Sequence, residues 1–137
     1  MTLDRRRFLQ VAAAGMAMPV MAPAAGQHPV LKIRLADHPV LATERGALRL
    51  HPEGAKSPVD ILVLPEGGYA AVWPICTHNG CPVRPEGWEL FCPCHGSIFA
   101  RDGRVLSGPA YKPLTRLPLV EAPGGELHIT LIDPIDP

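Results

Sequence analysis

All four cysteines of the chain and two of its six histidines fall between residues 76 and 95. The stretch reads Cys76-Thr77-His78-Asn79-Gly80-Cys81, a short spacer, then Cys92-Pro93-Cys94-His95-Gly96-Ser97-Ile98-Phe99. The pattern is Cys-x-His followed by Cys-x-x-His, with one further cysteine in each half. At these spacings a short loop can aim a thiolate and an imidazole at one point. Three chemistries use such a set. A [2Fe–2S] centre of mixed ligation takes two thiolates on one iron and two imidazoles on the other. A structural zinc ion takes two of each in a tetrahedron. Two plain disulfides consume the four cysteines in any of three pairings. The zinc reading leaves Cys81 and Cys94 without a task unless they form a separate disulfide. The double-disulfide reading gives none to His78 and His95. The iron–sulfur reading is the one expected.

Charge counting says what mixed ligation does. Two ferric ions, two sulfides and two thiolates sum to zero, and one added electron makes the centre −1. An all-thiolate centre goes from −2 to −3. The smaller negative charge eases reduction and raises the potential, to about −150 to +300 mV.

The elements around the stretch read as short strands. Residues 30–35 and 47–50 are strand-like, and 51–58 form a loop. Residues 59–64 and 69–73 flank the turn Glu66-Gly67-Gly68 as a hairpin whose second strand runs into Cys76. Residues 88–91 deliver Cys92. Residues 97–100 and 104–106 flank Arg101-Asp102-Gly103, and 114–120 and 126–132 flank Pro123-Gly124-Gly125. This predicts an all-β domain of about eight to ten strands, with both halves of the motif on neighbouring loops at one end. Residues 107–110, Ser107-Gly108-Pro109-Ala110, can fold over that end.

Composition agrees. The 137 residues allow one domain, 47 % apolar residues suffice for a core, and 17 prolines with 13 glycines imply many turns and little long helix. Formal net charge is zero, which is no basic nucleic-acid footprint. The first 24 residues carry +2, which leaves −2 for the rest.

Residues 1–24 read as an export signal. Arg5-Arg6, one free position, then Phe8-Leu9 and a weakly apolar segment resemble a twin-arginine signal. Ala22-Pro23-Ala24 fits a small-residue cleavage site, so a domain of residues 25–137 is expected. An uncleaved anchor is the rival. Residues 8–25 are marginal for a membrane span, and Gln10, Gly15, Pro19 and Pro23 weaken it. Twin-arginine export carries folded proteins, so a cluster can be inserted before export and a disulfide can persist on the oxidising side.

The two boxes Cys-Thr-His-x-Gly-Cys and Cys-Pro-Cys-His-Gly-Ser resemble those of the Rieske iron–sulfur proteins. The subset resembled is the disulfide-bearing one of cytochrome bc-type complexes and of the arsenite oxidase small subunit. The resemblance implies an antiparallel β-sandwich with cluster-binding loops at one end, preceded here by an N-terminal signal helix. It implies one [2Fe–2S] cluster per chain, with Cys76 and Cys92 as thiolate ligands and His78 and His95 as imidazole ligands. It pairs Cys81 with Cys94 in a disulfide between the loops. It gives Ser97 a hydroxyl hydrogen bond to a cluster sulfide, and makes Gly108-Pro109-Ala110 a proline loop that shields the cluster. Three features depart from the quinol-oxidising members. Phe99 stands where high-potential members carry Tyr, which predicts a lower potential. Asn79 stands where many have Leu. Only thirteen residues separate His78 from Cys92.

The function expected is one-electron transfer in the periplasm, as a component of an oxidoreductase and not a catalyst alone. Partners would be a cytochrome c or a catalytic oxidoreductase subunit, such as a molybdenum enzyme. Exposed imidazole ligands would lose an outer proton more readily when oxidised, so the potential should fall as pH rises; a redox titration at two pH values checks this. A second reading is a membrane-tethered, quinol-oxidising subunit of a cytochrome bc-like complex. A third is a zinc- or disulfide-stabilised binding module without redox function. His28, His38, His51 and His128 read as solvated or capping, Trp73 and Trp88 as core, and Asp102-Gly103 as a turn. No catalytic triad, carboxylate pair or nucleotide-binding glycine motif is apparent.

Overall fold

The computed structural model describes residues 28–133. The expected signal helix, the cleavage site and the first residues of the 25–137 domain lie outside the described residues. Among those described, eleven short strands and two 3₁₀ turns form three antiparallel sheets.

The first sheet joins β1 (Val30–Arg34), β11 (Glu126–Thr130) and β10 (Leu119–Ala122), with β11 in the middle. The second has the order β2 (Ala47–Leu50), β3 (Val59–Val63), β4 (Tyr69–Val72) and β9 (Arg116–Leu117). The third runs β5 (Arg84–Glu86), β6 (Glu89–Phe91), β7 (Ile98–Ala100) and β8 (Val105–Ser107). The 3₁₀ turns Leu35–Asp37 and Pro39–Ala42 link β1 to β2.

The second sheet is buried on both faces, which explains the continuous apolar run of 59–64. Side chains alternate along a strand, and the register pairs Asp60 with Val72, Ile61 with Ala71 and Leu62 with Ala70. Val59, Ile61, Ala71 and Trp73 enter one core with Ile33, Leu127 and Ile129 of the first sheet. Leu62 and Val72 enter another with Leu90 and Phe99 of the third. The expected sandwich is therefore two cores shared by three sheets. Cys76 and Cys92 belong to the second core, so the packing that holds the third sheet also holds the thiols.

Several expectations are refined. The run 114–120 is two strands: β9 pairs with β4 and β10 with β11, and Pro118, which has no N–H to give a ladder, lies between them. β5 contains Pro85 and is not apparent as a strand in the sequence; it sits at a sheet edge, where proline is tolerated. Trp88 is a turn residue and not a core strand residue. With Gly87, at φ +59°, it forms the two-residue turn between β5 and β6.

Candidate metal centre

The two motif halves fold into the same kind of loop, six residues each, at one end of the third sheet. Loop one (76–81) leaves β4 and enters β5; loop two (92–97) joins β6 to β7. In loop one, Gly80 N–H donates to Cys76 O at 2.8 Å and Cys76 N–H to Cys81 O at 2.7 Å. In loop two, Gly96 N–H donates to Cys92 O and Cys92 N–H to Ser97 O, both at 2.9 Å. Gly80 and Gly96 have φ of +74° and +82°, where a side chain is strained. Glycine four residues after each leading cysteine is the signal in the sequence for these turns, and the ligand spacing alone does not bring it out. The bridge from Ile75 to Pro82 closes the base of loop one.

The disulfide joins the loops: Cys81 and Cys94 are bonded, 13 residues apart. Cys76 and Cys92 remain free, and both are buried. Their thiols neighbour each other. Burial pushes the Cys92 thiol up, and the Cys76 thiol adds to this; the backbone N–H groups of Cys94 and His95, directed at its sulfur, pull it down. The imidazoles of His78 and His95 also pair, with ring centroids 4.8 Å apart in an edge-on arrangement. His78 is half-buried and His95 exposed. The Nδ1 atom of His78 is buried and has no hydrogen-bond partner among the described residues.

A third segment covers this end. Ser97 is fully buried, and its hydroxyl oxygen accepts a bond from Ala110 N–H at 3.0 Å. Gly108 and Pro109, joined by a cis peptide, are exposed, while Ala110 is buried. Thr77 Oγ1 donates to Lys112 O at 2.6 Å. The cover is thus fastened to both loops.

Two arginines that the sequence did not single out support the assembly. Arg49 forms a fork on Asp60 at 2.7 and 2.8 Å and also donates to Val83 O at 2.8 Å, just beyond loop one. The bond to Asp60 raises the Arg49 pKa. Arg101, read from sequence as a turn residue, is buried, and burial lowers its pKa. Its guanidinium donates to the carbonyls of Gly46, Val63, Arg45 and Gly87 at 2.7–3.1 Å. It lies 5.3 Å from the Trp88 ring centroid, and Arg45 lies 5.6 Å from it. Asp102 does act as a turn residue, accepting from Arg104 N–H at 3.1 Å. His128 bonds Glu126 at 3.0 Å. Trp73 is core, with its indole N–H on Ile132 O at 2.8 Å.

The family model of the Rieske [2Fe-2S] domain matches residues 38–118, more than half of the chain. The chain belongs to the Rieske [2Fe–2S] family. It is 39 % identical over 79 residues to the cytochrome b6-f complex iron-sulfur subunit of Synechococcus sp. (strain JA-3-3Ab), covering 55 % of this chain and 46 % of that protein. Over 60 residues it is 42 % identical to the corresponding subunit of Chlorobaculum tepidum, covering 39 % of this chain and 32 % of that one. The chain therefore spans less than half the length of these relatives. Among solved structures, the cyanobacterial plasma membrane Rieske protein PetC3 from Synechocystis PCC 6803 superposes with a TM-score of 0.55. It is 35 % identical, covering 63 % of this chain and 87 % of that one. A chain of the carbazole 1,9a-dioxygenase oxygenase–ferredoxin complex, 23 % identical over 77 % of this chain and 94 % of that one with a TM-score of 0.57, shares the fold.

A Rieske domain implies a Rieske [2Fe–2S] cluster, and the residues here fit one. The buried, unpartnered His78 Nδ1 would cost about 1–3 kcal/mol if left bare; a bond to metal removes that cost. Two cysteines are tied up in the disulfide, which leaves two thiols for metal. Among the described residues no three His, Cys, Asp or Glu side chains converge on one ion position. Thiol stands with thiol and imidazole with imidazole, as suits two irons with two protein ligands each.

Proposed function

We propose that this Rieske protein is a one-electron carrier in which Cys76 and Cys92 hold one iron and His78 and His95 the other. When bound, the cluster supplies a one-electron couple. The observation that carries the ligand assignment is the sorting of side chains: two buried free thiols, a separate disulfide, and a buried imidazole nitrogen without a partner. The chain's own residues divide the remaining work. The apolar core around Cys76 and Cys92 excludes water on the thiolate side, and the N–H groups of Cys94 and His95 hold negative charge on the Cys92 sulfur. Ser97 keeps its hydroxyl proton for a sulfide because its oxygen already serves Ala110. The exposed edge of His95 gives a partner a short path. Gly108 and Pro109 close one flank as a shield.

A coulometric titration of the iron-loaded protein should take up one electron per chain and return it to a soluble acceptor. Uptake of no electron, or of two, contradicts the reading. Cys92→Ser should abolish cluster binding, read as loss of iron and acid-labile sulfide with the fold retained. Retention of a full cluster would remove Cys92 from the ligand set.

Export through the twin-arginine route, cleavage after Ala24 and residence in the periplasm form part of the same reading. The Arg5-Arg6 pair and the disulfide support it. Arg5→Lys with Arg6→Lys should leave the protein in the cytoplasm on fractionation; unchanged export would overturn it. Among the described residues no helix is long and apolar enough to cross a membrane.

The host complex has two candidates. A soluble or subunit carrier working between a catalytic oxidoreductase subunit and a cytochrome c is the first, supported by Phe99 and Asn79. The second is a quinol-oxidising subunit, supported by the identity to cytochrome b6-f subunits. Quinol-dependent reduction of a c-type cytochrome by the purified complex, with the leader retained, would select the second.

A further inference from the structure

The cluster end of the molecule has a charge pattern that the chain as a whole lacks. Residues 74–84, 91–97 and 107–113 contain the two loops and their cover, and the charged side chains among them are Arg84 and Lys112. No Asp or Glu occurs in these segments. The acidic residues of the third sheet, Glu86 and Glu89, face each other across β5 and β6 beside the 87–88 turn, at the opposite end of that hairpin from Arg84 and Phe91. Glu86 approaches Arg84 at 3.7 Å with both side chains exposed, a pair of little energetic weight. The formal net charge of the whole chain is zero. The positive end is therefore local.

The same end presents a large aromatic side chain to solvent. Tyr111 is 79 % exposed, the most exposed of the large apolar side chains among the described residues. It is held in place: its preceding residue, Ala110, is bonded to Ser97, and its following residue, Lys112, is bonded to Thr77. The Lys112 ammonium lies 5.7 Å from the Tyr111 ring centroid. Nothing in the described fold needs Tyr111 outside. An exposed tyrosine on a fastened backbone, beside a cation with no ion-pair partner among the described residues, has the composition of an interface anchor, since tyrosine and cationic side chains serve as hot spots when a partner covers them.

We propose that Tyr111 and Lys112 anchor a redox protein whose docking face is acidic, seating it over the cluster end. This rests on the electron-transfer reading above and names the kind of partner for that surface. Lys112 steers the approach, since Arg84 is offset by Glu86; Tyr111 fills a pocket on the partner.

The test uses the reduced, cluster-loaded full chain and two acceptors that differ in charge. One is native cytochrome c, which is basic; the other is its succinylated form, whose lysines carry carboxylates. Oxidation is followed by stopped flow from about 0.01 M to about 1 M salt, over which the screening length falls from about 30 Å to about 3 Å. The sign of the salt dependence is read, because it does not depend on the acceptors' different potentials. The rate with the succinylated form should fall at least about tenfold across this range, and that with the native form should stay flat or rise. Lys112→Glu should remove the fall. Tyr111→Ala should slow the low-salt reaction with the succinylated form about tenfold, equivalent to ~1.4 kcal/mol, while the potential and EPR spectrum stay unchanged. A fall with the native form, or equal slopes for both, would overturn the acidic-partner proposal while leaving electron transfer intact. If neither form oxidised the reduced protein at any salt concentration, the electron-transfer reading itself would fail. Co-sedimentation with phosphatidylglycerol vesicles that Lys112→Glu abolishes, without any acceptor preference, would assign the patch to a membrane and overturn the proposal.

Discussion

Ser97 accepts from Ala110 N–H with both atoms out of water, so the hydroxyl fastens the cover. Ser97→Ala would leave that N–H buried and unpaired, which costs about 1–3 kcal/mol. Thermal denaturation should show the loss, and an unchanged melting temperature would mean that water replaces the hydroxyl. Phe99 is fully buried in the core that contains both free thiols. A tyrosine there would bring a donor to a cysteine sulfur and favour the more negative, reduced state. Phe99→Tyr should raise the potential by about 60 mV, the equivalent of one charge-assisted hydrogen bond of ~1.4 kcal/mol. A potential that did not move would place the ring out of reach of the sulfur. At this scale the sequence was most informative. The donor types and spacings of residues 76–95 pointed to the centre, because each short loop must carry its ligands locally. The His78 nitrogen left without a partner and the amides facing Cys92 were not legible, since they depend on backbone direction.

Between elements, the third sheet is joined to the second by apolar packing and by Arg101. That guanidinium serves carbonyls of the β2 approach, the end of β3 and the β5–β6 turn, with no carboxylate in ion-pair range among the described residues. Arg101→Ala would strand several buried acceptors and is expected to cost about 3–4 kcal/mol, read by denaturant unfolding. Arg101→Lys should recover part of this, because an ammonium has three donors for four carbonyls. Equal losses for the two variants would mean that volume and not hydrogen bonding matters. Gly46 belongs to the same joint: a Cβ there would come within 2.1 Å of Val40 O. The β3–β4 hairpin and the 123–125 turn leading into β11 were legible, whereas the run 114–120 hid the break at Pro118 that separates β9 from β10. β5 was not, because Pro85 argues against a strand and only its edge position permits one. Trp88 reads as core from hydropathy, yet it lies in a turn with two arginines close to its ring. Arg101 looks like turn chemistry in sequence, and only long-range geometry reveals its burial.

For the molecule as a whole, the all-β class was legible from short apolar runs between glycine- and proline-rich turns. The division into three sheets was not, since a continuous apolar strand such as β3 does not say what covers its second face. The disulfide closes a loop of 13 residues in sequence and should contribute about 2–3 kcal/mol through the unfolded chain. Replacing both Cys81 and Cys94 by Ala should lower the unfolding free energy by that amount and speed loss of the cluster in air; stability unchanged from the parent would show that loop packing alone suffices. All of these contacts converge on one claim, that two thiolates and two imidazoles of this end hold a [2Fe–2S] cluster. The most direct measurement is EPR of the dithionite-reduced protein with pulsed detection of nitrogen couplings. The account predicts a rhombic [2Fe–2S] signal coupled strongly to two imidazole nitrogens, with one coupling lost in His95→Cys. An iron-loaded protein whose signal lacked nitrogen coupling, or that gave no [2Fe–2S] signal on reduction, would contradict it.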